Sequence, residues 1–91
     1  MWSEELKKMT IEHFGDFSET ILKTVAKGKY SYAVGFDRNL YITDKAEALI
    51  PESEKDKRYF IFTMDDSRKP ATFIKAYDFI EDLVEDGWAI D

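Results

Sequence analysis

Apolar residues recur with the period of an α-helix near the N-terminus of the chain. Ser3 has the place of an N-cap residue and is followed by two glutamates, which favour the first turn of a helix. Gly15 has the place of a stop, so the pattern predicts a helix over residues 4–14. His13 lies on the inner edge of this helix and is interpreted as a partly buried structural residue.

The closing segment, residues 75–91, shows the same period and predicts the most regular helix of the chain. Its apolar stripe consists of Ala76, Phe79, Ile80, Leu83 and Val84. Gly87 has the place of a left-handed residue just after the helix, and Trp88 is then expected to pack back on Leu83.

Between these two predicted helices the side-chain pattern repeats every two residues, which is typical of strands. Residues 58–64, RYFIFTM, have apolar side chains on both faces and predict a central strand. Residues 30–43 are interpreted as a hairpin with its turn at 37–39, followed by a short helix that ends near Pro51. Residues 71–73 are expected to form a short returning strand.

Residues 17–27 fit two structures. Asp16 and Glu19 have the spacing of a capping box, which favours a helix with Phe17 on its inner face. The β-branched residues of the same segment favour a strand that turns at 26–29 into the next one. The helix is the preferred interpretation, and the strand is left open.

Together these elements predict an α+β fold, with a small antiparallel sheet of three to five strands and two to three helices packed on one face. The length of 91 residues and the lack of a linker or repeat predict a single domain, residues 1–91. Without cysteine, a disulfide framework and a thiolate zinc site are excluded.

The residue types offer little for catalysis. His13 is the only histidine, and it lies in no motif with a serine nucleophile. The four glycines stand alone, so no glycine-rich phosphate loop is present. The sequence therefore predicts no catalytic residues, no cofactor and no metal.

The net charge of −6 is concentrated in the closing segment. Residues 1–75 carry 13 acidic and 13 basic side chains, whereas residues 76–91 carry six acidic and none basic. Because no basic cluster is visible, direct binding to nucleic acid or to an anionic membrane is not expected. With no basic start followed by an apolar run, a cytoplasmic location is the expectation.

Five carboxylates form the outer row of the predicted closing helix. They are Asp78, Glu81, Asp82, Glu85 and Asp86. Three pairs of them are four residues apart, and each such like-charge pair costs about 0.2 to 0.5 kcal/mol. Several also crowd the negative end of the helix dipole. Either lysines from elsewhere, such as Lys55 or Lys57, neutralise this row, or it contacts a basic surface on a partner.

The preferred hypothesis is a non-catalytic acidic binding module that engages a basic surface of a protein partner through these five residues. The alternative is a nucleic-acid-mimicking inhibitor of a DNA- or RNA-binding protein, of the type encoded by phages and mobile elements. A small enzyme without a recognisable site is the second alternative. If one face of residues 58–64 stays uncovered, a homodimer would cover it.

Overall fold

The computed structural model describes residues 2–16 and 18–91. Within these ranges the elements are α1 (Glu4–His13), β1 (Glu19–Ala26), β2 (Lys29–Asp37), α2 (Asp44–Leu49), a 3₁₀ turn (Glu52–Glu54), β3 (Tyr59–Met64), β4 (Pro70–Tyr77), α3 (Ile80–Glu85) and β5 (Ala89–Ile90). The strands form one antiparallel sheet in the order β4-β3-β2-β1-β5. The α+β fold predicted from the sequence is confirmed.

The start of the chain follows its local signals, although the inner face of α1 differs from the prediction. The hydroxyl of Ser3 accepts the Leu6 amide at 3.1 Å, and the helix ends before Gly15. Thr10 is buried and its Oγ1 accepts the Ile90 amide at 3.1 Å, which ties α1 to β5. The prediction for His13 is wrong, since it is exposed and its Nδ1 lies 2.9 Å from Asp16 Oδ2.

The preferred helix over residues 17–27 is wrong, and the alternative strand is confirmed for residues 19–26. Every residue of β1 is paired with β2, and the two strands are joined by Lys27 and Gly28 with φ of 54° and 77°. A two-residue turn of this hand matches the twist of the flanking strands, so it outweighs the local capping signal. Phe17, expected on the inner face of the helix, lies outside the described residues.

The hairpin predicted with its turn at residues 37–39 is not formed, because β2 pairs with β3 instead. The buried carboxylate of Asp37 accepts two hydrogen bonds from the Arg58 guanidinium, both at 2.9 Å. It also accepts the Asn39 amide at 3.0 Å. Asp37 therefore fixes the end of β2 against the start of β3.

The closing helix is shorter than predicted. β4 extends to Tyr77, where Ala76 is paired with Phe60, so α3 contains only six residues. Phe79 lies just outside it and is 65% exposed. The predicted end is confirmed: Gly87 has φ 100°, and the Trp88 amide donates to the Leu83 carbonyl at 3.4 Å.

β3 is an interior strand with both faces buried, as predicted. Tyr59 and Ile61 belong to one apolar cluster, which includes residues of α3, and Phe60 belongs to the other. The second cluster includes Ala46 of α2. The expected packing of all helices on one face is therefore not confirmed, because α2 and α3 contribute to different clusters.

Gly35 allows Phe14 to pack directly on the sheet. A Cβ added at this position would lie 2.7 Å from Cζ of Phe14 and 2.9 Å from Cδ1 of Leu22. Both neighbours are themselves buried. The glycine is thus required by a close approach of side chains.

Substitution of Gly35 by alanine is expected to lower the free energy of unfolding by about 1 to 3 kcal/mol, because the added methyl group overpacks this contact. Urea unfolding measures the loss. Phe14→Leu removes the ring that the methyl group meets, so the double variant should lose less than the two single losses added together. Strictly additive losses would contradict the close packing.

Candidate partner-binding site

All five acidic residues predicted as a site are exposed, but they do not form one row on a helix. Asp78 precedes α3, and Asp86 is its C-cap residue. Glu81, Asp82 and Glu85 lie within the helix. The structure brings Asp78, Asp82, Glu85 and Asp86 to one surface depression of about 360 Å³, which we call the acidic depression, and leaves Glu81 outside its lining.

The short helix removes part of the electrostatic cost expected from the sequence. Glu81 and Asp82 lie in the first turn of α3, at the positive end of the helix dipole, where carboxylates are stabilising. Because Asp78 is not helical, its pairing with Asp82 across one helical turn is also lost. Only Glu85 and Asp86 remain at the negative end.

Asp86 is compensated by two side chains of β4. Lys75 Nζ and the Tyr77 hydroxyl each donate to Asp86 Oδ2 at 2.7 Å. The ammonium of Lys75, and then the hydroxyl of Tyr77, hold the pKa of Asp86 below its usual value. Burial, and then the hydrogen bond to Asp86, raise the pKa of Tyr77. Tyr77 therefore acts as a neutral hydrogen-bond donor.

Lys55 and Lys57, which the sequence suggested as neutralising groups for these acids, differ from each other in their contacts. Lys57 lines the acidic depression, and its pKa is raised first by its hydrogen bond to Glu54 and to a smaller extent by Asp78. Lys55 instead donates to the carbonyl of Glu47 at 2.9 Å. These two lysines therefore neutralise the five acids only in part. Within residues 2–16 and 18–91, no basic side chain forms an ion pair with Asp78, Glu81, Asp82 or Glu85.

Glu81 belongs to a second depression between α1 and α3. Lys7 and Lys8 of α1 line this depression together with Ile11, Val84 and Glu85. These lysines already lie near glutamates of their own helix, at 3.7 Å for Lys7 and Glu4 and 4.0 Å for Lys8 and Glu12. The lining of this depression thus has four carboxylates and two lysines, the same excess of acids as the acidic depression.

Sequence reasoning missed a row of aromatic side chains beside the acids. We call this row, which consists of Trp2, Tyr30 and Tyr32, the aromatic ladder. The ring centroids of Trp2 and Tyr30 are 6.1 Å apart, and those of Tyr30 and Tyr32 are 6.5 Å apart, with both pairs stacked. The two tyrosines are two residues apart on β2, so their alternation in KYSY was the available signal.

Two further findings concern the described part of the chain. None of its helices combines the length and the apolar character that crossing a membrane requires. No three or more side chains of histidine, aspartate or glutamate come together there in a group that could hold a metal ion.

The chain matches no protein-family model, no curated protein and no solved structure.

Lys75→Met and Tyr77→Phe are each expected to raise the pKa of Asp86, with the larger effect for Lys75, as measured by NMR titration of the carboxyl carbon. Since folding lowers this pKa, the stabilisation is complete above the usual carboxyl pKa near 3.8 and is lost as the pH falls through the lower folded value. Lys27→Met, in the hairpin turn, is the control. The same titration curve in all variants would refute the compensation.

Proposed function

We propose that this protein is a non-catalytic binding module that engages a basic surface of a protein partner through Asp78, Glu81, Asp82, Glu85 and Asp86. The observation that carries the proposal is the uneven compensation of these acids. Asp86 has Lys75 and Tyr77 as partners, whereas the other four form no ion pair within the described residues. Exposed carboxylates of one sign attract a basic surface at long range and accelerate association.

Glu85 is the central residue of this surface. It lines the acidic depression, the depression between α1 and α3, and a third one that contains Trp2 and Tyr30. It also lies in the last turn of α3, where a carboxylate is unfavourable. A residue that is unfavourable for its own helix and borders three depressions is well placed for contact with a partner.

The alternative of a nucleic-acid mimic is less well supported by the geometry. A duplex mimic requires carboxylates at regular intervals, since duplex DNA carries one charge per about 1.7 Å of its axis. The five acids are instead divided between two depressions, and Lys57 and Lys75 interrupt the larger group. Competition decides this alternative: a mimic should be displaced from its partner by added DNA or RNA.

A small enzyme remains the second alternative. The titratable groups that meet in the acidic depression are carboxylates, two lysines and Tyr77. The raised pKa of Tyr77 keeps its hydroxyl protonated, which does not suit a general base at neutral pH. These properties favour binding over catalysis.

Reversal of Asp78, Asp82 and Glu85 to lysine is expected to leave the fold intact and to weaken partner binding by more than about tenfold, because the partner's basic surface then meets like charges. The partner is first captured with the wild-type chain from the cells that express it, and is then purified for titration.

For the wild-type chain, the association rate should fall when the salt concentration is raised from about 50 to about 200 mM.

The matched control reverses Asp44, Glu52 and Asp66, three acids that do not line the acidic depression. This variant has the same change in net charge and should retain binding. Equal weakening by both triple variants would point to net charge alone. Unchanged binding by the first variant would refute the proposal.

A further inference from the structure

The end of β1 next to the acids forms a groove of about 440 Å³, which we call the edge groove. It is lined by Trp2, Thr24, Val25, Tyr30, Glu85, Asp86 and Gly87. The groove thus combines two aromatic rings and an aliphatic side chain with two carboxylates. Two of its residues, Glu85 and Asp86, also line the acidic depression, so the two surfaces are continuous.

The edge groove exists because β5 is short. β5 pairs only with Leu22 and Lys23 of β1, which leaves residues 24–26 without a strand neighbour on that side in the described chain. Gly87, with its positive φ, brings α3 to this edge. The groove is therefore a product of the way the strands and α3 meet.

Trp2 is held in place at the groove by three contacts. Its indole Nε1 donates to the Gly87 carbonyl at 2.7 Å, its ring stacks on Tyr30, and Lys23 Nζ lies 5.2 Å from its ring centroid. One cation therefore already interacts with Trp2. The neighbouring ring of Tyr30 has no cation over it within the described residues.

Large side chains around the groove are unusually open to solvent. Tyr30 is 58% exposed, Val25 47% and neighbouring Tyr32 49%. Contiguous exposure of this kind marks interaction sites more often than scattered apolar residues do. The acids at the rim then determine which partner chemistry fits.

We propose that the edge groove binds an extended segment of a protein partner in which an arginine is flanked by apolar residues. The arginine guanidinium lies against the part of the Tyr30 ring that its stacked neighbours Trp2 and Tyr32 leave exposed. It donates to the carboxylate of Glu85, while an apolar neighbour covers Val25. This inference rests on the proposed function and specifies the partner's chemistry. Arginine fits better than lysine, because its planar guanidinium stacks on an aromatic ring while it hydrogen-bonds a carboxylate.

Charge complementarity argues against the other occupants of such a groove. A second copy of this chain also carries a net charge of −6, so the two copies repel each other. Nucleic acid would stack on the aromatic rings but bring phosphates toward Glu85 and Asp86. A basic segment is attracted by the same two carboxylates.

The first experiment titrates the isotope-labelled full chain with the blocked tripeptide Leu-Arg-Leu and follows amide and indole NMR signals. We expect saturable shifts at the Trp2 indole, Tyr30 and Glu85. The matched peptide Leu-citrulline-Leu has the same shape without the charge and should bind at least about fivefold more weakly, because charged hydrogen bonds are the stronger ones. Equal binding of both peptides, or shifts confined to other surfaces, would overturn the proposal.

Variants of the groove provide the second test. Tyr30→Leu keeps an apolar side chain but removes the aromatic face, and we expect at least about threefold weaker binding of the arginine peptide. Tyr41→Leu is the matched control, since Tyr41 is 46% exposed, does not line the groove and has its ring contact with Phe36. Glu85→Gln should weaken binding of the arginine peptide more than binding of the citrulline peptide. Equal effects of Tyr30→Leu and Tyr41→Leu would refute the role of the groove.

The results also separate this inference from the proposed function. If the triple lysine variant loses the captured partner while Tyr30→Leu retains it, the acidic site stands and the edge groove is refuted. If Tyr30→Leu loses the captured partner while reversal of Asp78 and Asp82 has no effect, the groove stands without the wider acidic surface. Shifts of Trp2 and Tyr30 that depend on protein concentration alone would identify a second copy as the occupant and overturn the proposal.

Discussion

Burial of both faces of β3 is the constraint on which the rest of the structure depends. Its alternating side chains enter two separate apolar clusters, so each cluster needs its own cover. An interior strand also needs hydrogen-bonded neighbours on both sides, because its buried amides and carbonyls have no access to water. β2 meets this need on one side and β4 on the other. The residues that follow β3 therefore form the strand β4, which extends to Tyr77.

Because β4 extends to Tyr77, the electrostatic environment of the acids at residues 78–86 differs from the one predicted. Residues 76–77 leave the helix, α3 begins at Ile80, and Glu81 and Asp82 come to lie at the favourable end of its dipole. The same strand brings Lys75 and Tyr77 within hydrogen-bond distance of Asp86. Sheet pairing thus supplies compensation for three of the five acids. Within the described residues, Asp78 and Glu85 form no ion pair, and Glu85 lies at the unfavourable end of the dipole.

The parts of the fold that were predictable from sequence are those in which one strong local signal acts alone. Ser3 begins α1, Gly87 ends α3, and the two apolar faces of RYFIFTM identify an interior strand. Two of the errors, at residues 19–26 and 75–77, occur where a local helix signal competes with sheet pairing. The outcome there depends on the neighbouring strands, which local periodicity does not reveal. The edge groove could not be predicted from the sequence for a related reason. Its lining comes from Trp2, β1, β2 and the end of α3, which are distant from one another along the chain.

The existing contacts at this surface distinguish residues that stabilise the fold from residues that are available to a partner. The Asp86 carboxylate holds β4 and the end of α3 together, so a partner that took over this group would have to displace Lys75 and Tyr77. Glu85 forms no ion pair within residues 2–16 and 18–91, so a partner can desolvate its carboxylate without breaking one there. Because buried unpaired charges are costly, its burial by a partner is favourable only when a cation accompanies it. A partner that covered Glu85 would therefore have to bring a positive charge to this carboxylate.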